Sequence, residues 1–134
     1  MGRLKLFHFR LEDSWFDISD GYDTMLETGK DGEILIRCLV NGQVQTIDLT
    51  GKENSFIQSL ESCNIKSWDG NEYTIRSWDG YRWTFEMAYD DVLIRAKGDN
   101  AYPPDFIRFL NVLIKHWGLK KANWVSFIRE KRLL

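Results

Sequence analysis

Five Asx-Gly pairs interrupt the first 80 residues at Asp20-Gly21, Asp31-Gly32, Asn41-Gly42, Asp69-Gly70 and Asp79-Gly80. Such pairs supply the positive φ of tight turns, and the runs between them are of strand length. The chain is therefore constrained toward a meander of antiparallel strands. Strands are expected at 3–11, 22–28, 33–40, 43–49, 72–77, 81–89 and 91–97. Ile34, Leu35, Ile36, Cys38, Leu39 and Val40, interrupted by Arg37, make the third run apolar on nearly both faces, which suits a central strand.

Register follows from pairing apolar with apolar. A two-residue loop at Asn41-Gly42 sets Ile36 opposite Ile47 and Ile34 opposite Leu49. At Asp79-Gly80 a two-residue loop would mix faces. A three-residue loop of Trp78, Asp79 and Gly80 instead sets Ile75 opposite Trp83 and Tyr73 opposite Phe85. It leaves Trp78 and Asp79 at an exposed hairpin tip, where they become candidate partner-binding residues. Strand 81–89 alternates cleanly, with Tyr81, Trp83, Phe85, Met87 and Tyr89 inward, and Asp90-Asp91 turns it into a strand carrying Val92, Ile94 and Ala96 on one face. The echo of Ser-Trp-Asp-Gly at 67–70 and 77–80 is turn chemistry or a duplicated aromatic tip.

Helices are expected in two or three places. Thr50 and Glu53 have capping-box spacing before Phe56, Ile57, Leu60 and Cys63. Pro104 suits a first helical turn, Asp105 complements the positive helix end, and Phe106, Phe109, Leu110, Leu113, Ile114 and Trp117 follow at helical spacing to a stop at Gly118. A third, short helix from Asn123 would use Trp124, Phe127 and Ile128. The expected fold is α+β: a mostly antiparallel sheet of six or seven strands with two or three helices packed on it, in a single domain spanning 1–134.

A chain of 134 residues is long enough to bury a core without disulfide or metal staples, and six Trp, eight Phe and five Tyr imply an aromatic one. No run approaches the ~20 apolar residues of a membrane span. Arg3, Lys5 and Arg10 break up the N-terminal apolar positions, and Leu6 stands where a myristoylation pattern wants Ser or Thr. Cys38 and Cys63 are expected as reduced, buried thiols of a cytoplasmic protein.

No sequence pattern names a reaction. His8 alternates with Phe7 and Phe9, while His116 sits at a helix C-terminus where the dipole favours imidazolium. Neither has a metal-ligand neighbour, so no metal and no cofactor is expected. Glycine-rich phosphate cradles are absent. Glu12, Asp13, Asp17, Asp20 and Asp23 form an acidic loop that lacks EF-hand spacing, leaving a carboxylate-based hydrolase as one alternative. Residues 115–134 carry six cations against Glu130, a net of +5, which leaves −7 for the preceding 114 residues. Lys120, Lys121, Arg129, Lys131 and Arg132 form a basic contact candidate and make nucleic-acid binding the other alternative, which the acidic body opposes elsewhere.

In Gly98–Phe106 both prolines of the chain, Pro103 and Pro104, stand together. Local folding roles account for most of this junction. An exposed Asn100 amide and the Tyr102 hydroxyl remain as partner-binding candidates.

Residues 60–114 resemble a family of small, uncharacterised bacterial α+β proteins through Trp78, Asp79-Gly80, Trp83, Gly98, Asn100-Ala101-Tyr102-Pro103, Phe106 and Phe109. The resemblance implies a strand-strand-helix unit and transfers no activity. A non-enzymatic intracellular module that binds another protein, of the immunity or inhibitor type, is the leading expectation.

Overall fold

A computed structural model describes residues 3–13, 22–29, 31–40, 43–74 and 81–117. The elements run β1 (Leu4–Asp13), β2 (Tyr22–Thr28), β3 (Ile34–Val40), β4 (Gln43–Asp48), α1 (Glu53–Glu61), a 3₁₀ turn (Ile65–Trp68), β5 (Glu72–Thr74), β6 (Tyr81–Tyr89), β7 (Val92–Asp99) and α2 (Phe106–Trp117). The strands form one seven-stranded sheet in the order β4-β3-β2-β1-β6-β7-β5. Every pairing is antiparallel except β5 with β7. The fold is α+β, with both helices on one face of the sheet.

The first four strands are the meander that the Asx-Gly spacing predicts. Ile36 lies opposite Ile47, and Leu49 N donates to Ile34 O at 2.8 Å. Gly32 takes the positive φ of 76° in the β2–β3 connection. At the β6–β7 turn Asp90 takes φ 51° without a glycine. It also ties down the start of β1: its Oδ1 accepts from Arg3 N at 3.0 Å and its carbonyl from Lys5 Nζ at 2.6 Å.

The predicted hairpin between 72–77 and 81–89 does not form. Both edges of β6 are taken, by β1 and by β7, and β5 pairs with the far side of β7, setting Tyr73 beside Gly98. The Tyr73–Phe85 pairing is therefore wrong. Backbone hydrogen bonds are generic, so side-chain alternation predicts a strand's face but not its neighbour. Residue 75 and the tip at Trp78 and Asp79 lie outside the described residues.

The first Ser-Trp-Asp-Gly copy is structural. Trp68 is fully buried among Trp83, Phe85, Phe106 and Phe109, with ring centroids 5.2 to 6.2 Å away. Asp69 Oδ1 accepts from Arg95 N at 2.9 Å and Gly70 N donates to Arg95 O at 2.8 Å, hooking the turn onto the edge of β7.

The capping box is also replaced. The residue before α1 is Lys52, which makes no side-chain cap bond. Thr50 Oγ1 instead accepts from Ile34 N at 3.0 Å, and Glu53 Oε2 from Leu4 N at 2.9 Å. Two strands held nearby by tertiary packing present N–H groups that outcompete the helix end. Phe56, Ile57, Leu60 and Cys63 form the buried face as expected. α2 begins at Phe106, two residues later than Pro104. Pro104 and Asp105 form a turn in which Asp105 takes φ 69°, and Asp105 O accepts from Phe109 N at 2.9 Å. Phe106 and Phe109 pack on Phe9 and Trp68, Phe109 also on Phe85, and Leu110 and Leu113 are buried on the same helix. The side chains of Tyr81, Ile114 and Trp117, and everything from Gly118 on, lie outside the described residues, including the expected helix at Asn123.

The core is the helix-facing side of the sheet: Phe7, Phe9, Leu11, Ile36, Cys38, Trp83, Phe85, Met87, Ile94 and Ala96 are buried. Cys38 and Cys63 are buried and are not in a disulfide. Within that apolar layer Thr24 is buried, lying opposite Cys38 with its Oγ1 3.4 Å from the sulfur. No helix among the described residues is long and apolar enough to cross a membrane.

Candidate functional site: the open face of the sheet

Because both helices lie on one side, the alternation of seven strands sends every second side chain to the other face. His8, Arg10 and Glu12 of β1 emerge there with Arg82, Thr84 and Glu86 of β6, Arg95, Lys97 and Asp99 of β7, and Glu72 and Thr74 of β5. They line a groove of about 520 Å3, apart from Arg95, which borders it. Along one transverse row Asp23, Arg10, Thr84, Lys97 and Glu72 are successive cross-strand neighbours. In the next, Arg82 stands between Glu12 and Asp99.

These charges alternate and pair. His8 Nε2 lies 2.8 Å from Asp23 Oδ1, Arg10 3.2 Å from Glu12, Arg95 3.1 Å from Glu86, and Lys97 3.3 Å from Glu72. Exposed pairs of this kind contribute about 0–1 kcal/mol each, so they serve the surface rather than the fold. The cations do not converge on an empty anion site, because each faces a carboxylate. Among the described residues no cluster of His, Cys, Asp and Glu has the makings of a metal site. The His8–Asp23 pair resembles half of a catalytic triad, yet among the described residues no hydroxyl or thiol bonds the ring's other nitrogen.

Toward the other end of the same face the character changes. Met25, Leu39 and Val44 are 43%, 41% and 56% exposed. Leu39 lies directly opposite Val44, and Met25 sits diagonally across from Leu39. With Asp23, Glu27 and Arg37 they border a second hollow of about 190 Å3. Arg37 is 3.5 Å from Glu27, so the patch has a charged rim. β3 lies inside the sheet between β2 and β4, as a central strand should, and its face away from the helices carries the exposed Leu39 and Arg37. The signal for this patch was present in the two-faced apolar run of 34–40, but a second face can be buried in the chain or left for something else, and local sequence does not distinguish them.

The sequence candidates fare differently. Asn100 and Tyr102 are each only 7% exposed, which corrects the expectation of an exposed Asn100 amide. Asn100 holds φ 61° and bridges to Thr74, while the Tyr102 ring packs on Phe106 at 4.9 Å. Trp78, Asp79 and the basic set Lys120, Lys121, Arg129, Lys131 and Arg132 lie outside the described residues, as do Asp17, Asp20 and the Asp13 side chain. Glu12 and Asp23, the described members of the acidic run, pair with the Arg10 guanidinium and the His8 ring respectively rather than with another carboxylate.

Among the described residues, Tyr89, Cys63 and His116 lie on the helix side and have displaced equilibria. Burial, with the Glu61 carboxylate bonded to its hydroxyl at 2.9 Å, raises the Tyr89 phenol far above its usual range. Burial likewise raises the Cys63 thiol. His116 was expected to favour its charged form at the helix C-terminus. Burial, and then the charges of Lys115 and Lys52, instead lower it below the ordinary 6.5. Its ring packs on Phe56 at 5.4 Å, with Nε2 3.4 Å from Ser59 Oγ. The unfolded chain therefore takes up this proton first as pH falls, and stability is lost from 6.5 down to the lower folded value. His116→Asn should remove that component: the gap between wild-type and variant unfolding midpoints should narrow between about pH 7.5 and about pH 5.5. A gap that widens with acid would show that the folded protein prefers the imidazolium.

No protein-family model matches the chain, and no curated protein matches its sequence.

Proposed function

We propose that the chain is a non-enzymatic module that binds another protein through the open face of its sheet, centred on Met25, Leu39 and Val44. The observation that carries this reading is the apolar patch itself: three large side chains, adjacent across β2, β3 and β4 and rimmed by Asp23, Glu27 and Arg37. An apolar centre with a charged rim is the arrangement of protein–protein contacts, in which a few central residues carry most of the affinity. The paired charges of the adjoining groove would then select among partners, since a wrong partner leaves them facing like charge. Cys38 and Cys63, buried and not in a disulfide, fit a reducing compartment, and on that basis we infer a cytoplasmic module. An immunity or inhibitor role is compatible with such a face. The likeness of residues 60–114 to small bacterial proteins adds no chemistry to it.

The hydrolase alternative is less well supported, because Glu12 pairs with Arg10 and Asp23 with His8 rather than with another carboxylate. Leu39→Lys tests the binding reading. The exposed substitution should change folding stability by less than about 0.5 kcal/mol. It should weaken capture of the partner at least about tenfold, the effect of removing a central contact. A protein captured equally well by wild type, Leu39→Lys and Met25→Lys would show that the patch is not the contact.

A further inference from the structure

The two edges of the sheet are built in opposite ways. At one end β5 is a three-residue strand, with Glu72 paired to Lys97 of the neighbouring strand. At the other, β4 runs six residues in unbroken register with β3, from Val40 opposite Gln43 to Leu35 opposite Asp48. Leu49 N donates to Ile34 O, so with a period of two the odd-numbered residues of β4 bond β3. Val44, Thr46 and Asp48 turn their backbone N–H and C=O groups outward, and among the described residues no strand receives them.

Exposed edges are ordinarily blunted by lysine, proline, a bulge or a covering element. Gln43, Val44, Gln45 and Thr46 are all exposed, carry no charge and include no proline, and the register has no bulge. Lys and Arg are absent from the whole strand. An edge left in this state is a template for another strand.

We propose that β4 pairs antiparallel with β4 of a second copy of this chain, joining two sheets about a twofold axis. Outward groups must meet outward groups, so even-numbered residues face even-numbered ones. An axis at Gln45 uses the full strand: Val44 faces Thr46 of the second copy, and Gln43 faces Ile47. Moving the axis to Thr46 would instead set Val44 against Asp48. The self-pairing thus brings no like charges opposite each other, and the net charge of −2 opposes association only weakly. A second copy, unlike a foreign strand, also continues the exposed strip. Val44, the most exposed of the three apolar residues, sits at the sheet edge, and across the axis Val44, Leu39 and Met25 are met by the same three side chains in reverse order.

The proposal concerns the edge and does not depend on the partner reading of the face. Thr46→Pro tests it, because the Thr46 N–H points away from β3 and proline is tolerated where an edge N–H faces outward. In sedimentation equilibrium the wild type should have the mass of two chains and dissociate on dilution. Thr46→Pro should have the mass of one, with unchanged far-UV circular dichroism, and should raise the dimer dissociation constant at least about tenfold. Val44→Lys, a charge placed on the edge, should give the same result and serves if the proline variant does not fold. Leu39→Lys should remain dimeric. A wild type that is monomeric at all concentrations overturns the proposal, and so does a dimer that survives Thr46→Pro and Val44→Lys or is lost with Leu39→Lys.

Discussion

Gly98→Ala is expected to destabilise the protein by about 4 kcal/mol, from overpacking of about 1–3 kcal/mol and a buried donor left unpaired at about 1–3 kcal/mol. Gly98 is flanked in register by Trp83 of β6 and Tyr73 of β5. Those rings stack at 5.9 Å and 28° across the strand that carries the glycine. Strands two places apart are separated by about 10 Å, so the contact requires that the residue between them contribute no side chain. A Cβ at Gly98 would collide with Trp83 Nε1 and approach Cε2 to 2.6 Å and Ala101 O to 2.7 Å. The carbonyl is backbone and the indole is buried, so neither gives cheaply. Displacing the indole breaks the 2.9 Å bond from Nε1 to Ala101 O, which holds the chain as it leaves β7 for α2.

Urea denaturation would measure the loss, a large part of the 5–15 kcal/mol that a domain of this kind possesses. A variant within about 0.5 kcal/mol of wild type would refute the packing account. In a Trp83→Phe background the same glycine substitution should cost about 1–2 kcal/mol less, a coupling typical of residues in contact.

Trp68→Ala should cost about 4 kcal/mol, in the range for emptying a buried tryptophan site. The ring is packed edge-on or tilted against four others from β6 and α2, so its loss leaves a cavity at the centre of the core. It also releases the anchor for Asp69 and Gly70, whose bonds to Arg95 hold the segment leading into β5. The expected result is a lower urea midpoint with m unchanged, because the same surface is exposed on unfolding. A loss below about 1 kcal/mol would mean that the turn is held by its backbone bonds and not by the indole.

The same four letters, Ser-Trp-Asp-Gly, illustrate what was legible. Asx-Gly chemistry correctly marks Gly70 as a positive-φ position, at 75°. It does not say that Trp68 turns inward, which depends on α2 and β6 being near enough to receive it. Thr50 and Glu53 make the same point: their spacing is that of a capping box, and their bonds go to Ile34 and Leu4 because tertiary packing sets those donors closer. Asn100 and Tyr102, polar and aromatic residues in a junction, read as surface until the Phe106 ring closes over one of them. The candidate site was the least legible part. Met25, Leu39 and Val44 lie on three strands and become a patch only when register aligns them, and their exposure depends on which face the helices choose.

By itself the sequence determined what is local or periodic: strand positions from alternation and turn chemistry, the β3–β4 register, the buried faces of both helices, and the aromatic character of the core. These follow from φ, from a side-chain period of two or 3.6, and from transfer of apolar surface out of water. Only the tertiary structure decided that β1 pairs with β6, that β5 skips β6 to lie parallel to β7, and that, among the described residues, one face carries exposed apolar side chains and the long edge strand β4 receives no partner. Backbone hydrogen bonds are generic, so the choice among partners falls to long-range packing, here an indole that reaches over a glycine to a tyrosine two strands away.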